Sequence, residues 1–370
     1  MTHPPLISVV LPVYGVRQYL GECLDSVLGQ PADGQPGNGS ADLVRPADGI
    51  EVIAVDDASP DGCGALLDDR ARIDRRLTVI HLDVNRGPGN ARNIGLARAT
   101  GRYVWFIDGD DLVAAGALAA IADRLAEDGP DLLLIGYQDL YPDGSTVPGP
   151  GADLLRSAPS GTFRLADAPL LVNLTMTSWS KVLRREFLIE LDEPFRPGIH
   201  EDVPVSCAAL LAGRLGVLAV VCYSYRRSRP GSFMATRDSG HLAIFDAYEE
   251  VFGLLAKRLA AGDEAVTEAV QAALFERAIW HYTSVLQAGF GIGPLRRGGM
   301  VPRSGRRAFF NRMHADFVRY APASYRHPPG ARGAKLRLVE RGAYLTYEVL
   351  EPLNQFRVAA RRAVSRGGAR

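Results

Sequence analysis

Lysine is almost missing from this chain: of its 42 basic residues only Lys181, Lys257 and Lys335 are lysine, and the rest are arginine. Alanine, glycine and proline are plentiful too, a bias typical of GC-rich coding, so the arginine choice alone identifies no partner. Cysteine is also scarce. Cys23, Cys63, Cys207 and Cys222 lack the close spacing of a metal or redox site, which argues against a zinc ribbon or a disulfide-stapled fold. They read as small core thiols in a reducing cytoplasm. No uncharged apolar run of roughly eighteen residues exists, so no spanning helix is expected. The nearest approach, 203–225, is divided by Arg214 and glycines. The opening MTHPPLISVVLPVYG lacks the basic and long apolar regions of a signal peptide and reads as a first strand.

What is present is ordinary globular material, 47% hydrophobic and 23% charged, enough for two or three domains. The neutral total hides an asymmetry: residues 296–370 hold 17 basic and 4 acidic side chains, leaving a matching acidic excess in 1–295. A basic tail on an acidic body points to an anionic contact or to a solvated helical face. Arg361, Arg362, Arg366 and Arg370 follow apolar Leu350, Leu353, Phe356 and Val358, a pattern compatible with peripheral contact at the inner face of a plasma membrane. No nucleic-acid motif accompanies the charge, and nucleic acid is not an expected partner.

The first 140 residues alternate strand and helix patterns. Strands are predicted at 7–14, 50–57, 77–83 and 102–110, with helices near 19–28, 61–73, 90–99 and 114–127 between them. A low-complexity stretch, 31–49, reads as a loop on the rim away from the chemistry and is expected to tolerate shortening. Strand–helix–strand units of this kind imply a mostly parallel, doubly wound α/β sheet whose ligands lie outside the carboxyl ends of the strands. A strand and PDGS turn follow at 131–147, a helix at 202–212 and a strand at 216–225. Helices are predicted near 240–260, 264–287, 305–320 and 333–364. The expected division is 1–235 for the α/β domain and 236–370 for a helical region.

Carboxylates gather at the strand ends. Asp108, Asp110 and Asp111 follow an apolar strand, where three ionised groups need a cation or solvent nearby; hard oxygen ligands with room for phosphate suit Mn²⁺ or Mg²⁺, though a solvated turn with Asp111 as a helix cap also accounts for them. Asp56, Asp57 and Ser59 end another strand on the same rim, as pocket residues or as a cap. In NRGPGNARNIG, Arg92 stands where a dinucleotide fingerprint needs its third glycine, and no P-loop is present. Arg86, Arg92 and Asn93 instead offer phosphate or ribose contacts near a helix start. Glu201 and Asp202 open a predicted helix, whose amino-terminal field is expected to favour their ionised forms. His200 beside them is a weaker metal candidate, and Trp280-His281-Tyr282 reads as helix core.

Four blocks in order, PVYGVRQYLGECLDSVLGQ, VIAVDDASPDG, NRGPGNARNIGLARATG and RYVWFIDGDD, resemble the family 2 glycosyltransferases with the GT-A fold, of the bacterial cell-envelope polysaccharide or teichoic-acid type. SWSKVLRREFL, HEDVPVS and YSYRRSRPGSF are more loosely similar to later motifs of that family. The resemblance implies an inverting, metal-dependent transfer of a hexosyl or N-acetylhexosaminyl group, with a UDP-sugar as the expected donor, to a hydroxyl of an envelope glycan or anionic polymer. It implies Pro12, Val13, Tyr14 and Asp57 around the nucleobase, Arg86, Arg92, Asn93 and Asp108 near ribose and diphosphate, and Asp108 with Asp110 as the metal pair. It implies Asp202 as catalytic base beside Glu201, with Trp179 and Lys181 on the acceptor side. Many members carry Asn where Gly15 stands here. A nucleotidyltransferase and a catalytically degenerate sugar-nucleotide-binding scaffold are the rival readings.

Overall fold

The computed structural model describes residues 4–29, 49–228, 239–287 and 300–349. The 31–49 loop, apart from Gly49, and the arginines of the far carboxyl terminus lie outside them. The chain divides into two units, one of residues 1–230 and 253–270 and a second of 231–252 and 271–370.

The first unit is built on a nine-stranded sheet. Strands β1 (Ile7–Val13), β2 (Ile50–Asp56), β3 (Leu77–His81) and β4 (Tyr103–Phe106) lie in the order β3-β2-β1-β4, all parallel. Their runs of Val, Ile and Leu suit strands covered on both faces. Helices α1 (Arg17–Leu28), α2 (Cys63–Ile73) and α3 (Gly87–Arg98) are the connections. Beyond β4 the sheet changes character. Strand β8 (Lys181–Arg184) runs antiparallel to β4 and to β6 (Leu132–Leu140), β9 (Leu215–Arg226) runs parallel to β6, and the short β5 (Leu112–Val113) and β7 (Thr146–Pro148) add antiparallel edges. The sheet is therefore mixed, with parallel order confined mainly to its first four strands.

This topology brings the carboxyl ends of β1, β2, β4 and β9 and the amino end of β8 to one rim. Helices α4 (Ala117–Asp128), α5 (Ala152–Arg156), α6 (Arg185–Glu190) and α7 (Asp202–Ala212), with residues 253–270 from later in the chain, complete the unit. Its core is continuous from Val9, Leu11 and Val52 through Trp105 to Val182 and Tyr223. All four cysteines are buried free thiols. Strand β4 ends at Phe106, earlier than predicted, because the chain turns at 108–111. The short β5 and β8 have no alternating pattern long enough to announce them.

The second unit is helical, with α8 (Ala243–Ala260) contributing its first half, followed by α9 (Glu268–Gln287), α10 (Arg306–Tyr320) and α11 (Gly330–Glu340). Its core is aromatic: Phe245 packs on Tyr282 and Phe309, Phe275 on Phe317, and Phe252 stacks on Tyr320. Tyr282 donates to the Asp316 carboxylate at 2.9 Å in this interior. Of the predicted Trp280-His281-Tyr282 cluster, Tyr282 is core while Trp280 is 40% exposed. The helix predicted over 333–364 begins earlier, at Gly330, and is interrupted after Glu340, where Gly342 takes a left-handed conformation (φ 64°); the chain is helical again over 344–349, and 350–364 lie outside the described residues.

Candidate active site

The turn after β4 separates three aspartates that sequence alone groups together. Asp111 points inward. Its carboxylate accepts from the Tyr223 hydroxyl at 2.8 Å and from the Arg226 backbone N–H at 2.7 Å. Burial, then repulsion from Asp110 and Asp108, pushes its pKa well above the ordinary carboxylate range. Asp111 is thus an internal anchor of the turn. The Tyr223 hydroxyl also accepts the Asp108 backbone N–H at 3.0 Å, and Arg226 donates from Nε to the Asp110 carbonyl at 2.9 Å. Tyr223 and Arg226 hold the turn from β9, a role that the YSYR motif does not announce by itself. Asp108 and Asp110 are left part-exposed at the rim.

Arg92, on α3, occupies the centre. It is 4% exposed, donates from one terminal nitrogen to Asp108 at 2.8 Å and from the other to Glu201 at 2.5 Å, and lies 5.6 Å from the Phe195 ring centroid. Burial opposes its charge, but Asp108 and Glu201 outweigh that and hold the guanidinium protonated. One cation therefore ties the end of β4 to the start of α7. Gly89 makes this approach possible: a Cβ there would stand 2.1 Å from the Arg196 carbonyl oxygen. Asn93 turns toward the backbone of Phe195. Its carboxamide is spent on Phe195, donating to the carbonyl at 2.8 Å and accepting from the N–H at 3.0 Å.

Asp202 is the first residue of α7, preceded by Glu201 and by His200, which is buried with φ 63°. A non-glycine residue held there stores backbone strain beside the carboxylate pair. The helix field alone would keep Asp202 ionised at low pH. Instead burial, followed by the Glu201 charge, raises its pKa to about 7, against the pull of Arg92 and Lys181. A carboxylate tuned to that value suits proton abstraction near neutrality.

The β2 end carries a second cluster. Asp57 is 2% exposed, and its two oxygens accept the backbone N–H groups of Arg86 at 2.7 Å and Gly87 at 2.8 Å. It fixes the start of α3 while the Arg86 side chain stays exposed. Val13 accepts from the Asp57 N–H at 2.9 Å, Pro12 is half-buried, and Tyr14 is 51% exposed. Gly15 sits at φ 63°, the left-handed region that glycine or asparagine adopts most readily, which accounts for both residues at this position. Ala58 is also left-handed, at φ 58°.

Trp179 and Lys181 face inward. Trp179 is 4% exposed and stacks on Tyr223 at 4.8 Å and Tyr225 at 5.5 Å. Lys181 is 2% exposed, its ammonium donating to the carbonyls of Thr175 at 2.9 Å and Thr177 at 2.8 Å. They brace the wall behind the rim; the assignment of either to direct acceptor contact is not what this packing provides.

Among the described residues no group of three or more His, Cys, Asp or Glu is arranged to hold a metal, and His200 joins no such group. Asp108 and Asp110 nevertheless fit Mg²⁺ or Mn²⁺, which commonly take one or two protein carboxylates and complete their shell with substrate phosphates and water.

The model of glycosyl transferase family 2 matches residues 8–191, about half of the chain, and the chain belongs to that family. It is 30% identical over 229 residues to the uncharacterized glycosyltransferase EpsJ of Bacillus subtilis (strain 168), covering 60% of this chain and 62% of that protein. It is 29% identical over 291 residues to the poly(ribitol-phosphate) beta-N-acetylglucosaminyltransferase TarS of Staphylococcus aureus (strain Mu50 / ATCC 700699), covering 77% of this chain and 46% of TarS. In fold it is similar to a crystal structure of S. aureus TarS 1–349 in complex with UDP-GlcNAc, with TM-score 0.68, 22% identity, and coverage of 94% of this chain and 91% of that one. The chain thus spans roughly half to three-fifths of the length of these two curated relatives. The fold is GT-A-like.

Proposed function

We propose that this chain transfers a sugar from a nucleoside-diphosphate sugar, UDP-linked, to a hydroxyl of an envelope glycan or anionic polymer, with inversion at the anomeric carbon. The observation that carries the reading is the Arg92 bridge, which brings Asp108 at the end of β4 and Glu201 beside Asp202 onto one buried guanidinium. The names of the relatives support the polymer class of acceptor and the N-acetylhexosamine type of donor.

In this reading Val13, Tyr14 and Asp57 bound the nucleobase pocket, and Asp108 with Asp110 would hold Mn²⁺ or Mg²⁺ beside the donor diphosphate. Such a cation would stabilise the charge that develops on the leaving nucleoside diphosphate. Asp202 takes the proton of the acceptor hydroxyl as its oxygen attacks the anomeric carbon from the face opposite the departing diphosphate. A base so placed contributes about 10²- to 10⁴-fold. Glu201 neutralises Arg92 and keeps Asp202 basic. Trp179 and Lys181 act through the wall they support.

No helix among the described residues is long and apolar enough to cross a membrane. The proposed setting is the cytoplasm, where nucleotide sugars are made; the segment that prompted the idea of peripheral membrane contact lies outside the described residues.

The decisive experiment is calorimetric titration with UDP, with Mn²⁺ and with chelator, beside turnover of UDP-sugars. Metal-dependent UDP binding and release of UDP support the reading. Release of pyrophosphate would replace it with a nucleotidyltransferase, and binding without turnover would leave a scaffold.

A further inference from the structure

His81, the last residue of β3, lies between two carboxylates from different elements. Its Nδ1 is 3.1 Å from Asp56 Oδ2 at the end of β2, and its Nε2 is 3.0 Å from Asp68 Oδ1 on α2. A neutral imidazole has one N–H and one lone pair, while an ionised carboxylate only accepts. Both contacts can be hydrogen bonds at once only when the ring carries two protons. Gly64 on α2 is packed so closely here that a Cβ would stand 2.7 Å from Asp56 Oδ2 and 3.2 Å from the His81 ring.

Asp56 leads directly to the nucleobase side of the rim. Its Oδ1 accepts the Ser59 N–H at 3.1 Å, closing the turn that holds Ala58 in its left-handed conformation, and Ser59 Oγ donates to the Val13 carbonyl at 3.3 Å. The carboxylate held by His81 is therefore the one that holds the strained turn after Asp57. We propose that doubly protonated His81 is a positioning residue for the nucleobase pocket, so that nucleotide affinity falls as rising pH removes its second proton. The inference rests on the donor-site reading above.

The charged groups facing the ring are Asp56 from β2 and Asp68 from α2, and their hydrogen bonds, Asp68 first, raise the histidine pKa. The direction follows: the bridge is complete below the ordinary histidine pKa of about 6.5 and is lost as pH rises through the higher folded value. The ring is 44% exposed, so replacing it leaves no core cavity.

The test is UDP titration of the full chain with Mn²⁺ between about pH 6 and pH 9, alongside NMR titration of the His81 ring. Wild-type affinity is expected to fall by about 3- to 10-fold across the window, with the midpoint of the ring titration. Comparing variants removes the contribution of UDP's own ionisation. His81→Gln is expected to bind weakly with no such step, and Asp68→Asn to move the step to lower pH while folding normally by thermal unfolding. Parallel pH profiles for wild type and His81→Gln, with measurable UDP binding, would overturn the inference and leave the donor site standing. No UDP binding by wild type at any pH would overturn the donor-site reading and this inference together.

Discussion

The two halves of the sheet treat their motif residues in opposite ways. In the parallel half, β3-β2-β1-β4, every strand leaves the sheet in the same direction, so Val13, Asp56 and Asp108 arrive at one rim as a consequence of topology. In the mixed half chain direction alternates, and residues that look functional in sequence are turned to structural work. Lys181 and Trp179 are buried, and Asp111, Tyr223 and Arg226 are bound to one another. Parallel strands export polar groups to solvent at their carboxyl ends; a mixed sheet supplies the braces behind them. Arg92 joins the two regimes.

Breaking that joint should have the largest effect. Arg92→Met leaves Asp108 and Glu201 without their buried partner, and a stability loss of about 3–5 kcal/mol is expected by denaturant unfolding. Next is Asp202→Asn, which should reduce turnover at least about 10²-fold while UDP affinity stays near wild type. Comparable turnover would remove Asp202 as base. Lys181→Met sharpens the contrast between the halves. Three carbonyl and hydroxyl acceptors lose their donor, so about 1–3 kcal/mol of stability should go, with the acceptor KM unchanged. A raised acceptor KM in a folded Lys181→Met variant would return this residue to the acceptor side. The smallest effect is the pH profile: kcat should rise with pH through about 7 as Asp202 ionises, and Glu201→Gln should move that step downward by removing the adjacent charge. Loss of the same proton works against stability. A raised carboxyl pKa favours the fold fully below the ordinary aspartate value, and that contribution is lost as pH rises through about 7.

Much of the parallel half was legible because burial on both faces leaves continuous apolar runs, and because strand-end aspartates in such a run have few alternatives. The fold class followed from those runs. The roles of Arg92 and Asn93 were less legible: an arginine beside a helix start looks like a phosphate ligand until a loop more than a hundred residues away supplies Glu201 and Phe195. Long-range pairing of that kind leaves no local periodicity. The direction of the Asp202 shift was missed for a related reason, since a helix terminus is visible in sequence and the desolvation around it is not. His81 had no motif at all; its meaning lies in two carboxylates that reach it from neighbouring elements.

The aromatic wall has a consequence for observation as well as for support. The chain has three tryptophans, and two of them, Trp105 and Trp179, are in direct contact, the Trp105 indole N–H donating to the Trp179 carbonyl at 2.8 Å. Trp179 in turn lies flat on Tyr223, whose hydroxyl holds the aspartate turn. Trp280, in the helical unit, is half-open to solvent. The molecule thus carries a shielded pair behind the candidate site, expected to emit to the blue, and a more exposed tryptophan elsewhere, expected to emit further to the red. A collisional quencher that silences Trp280 leaves an unlabelled optical gauge of events at the rim.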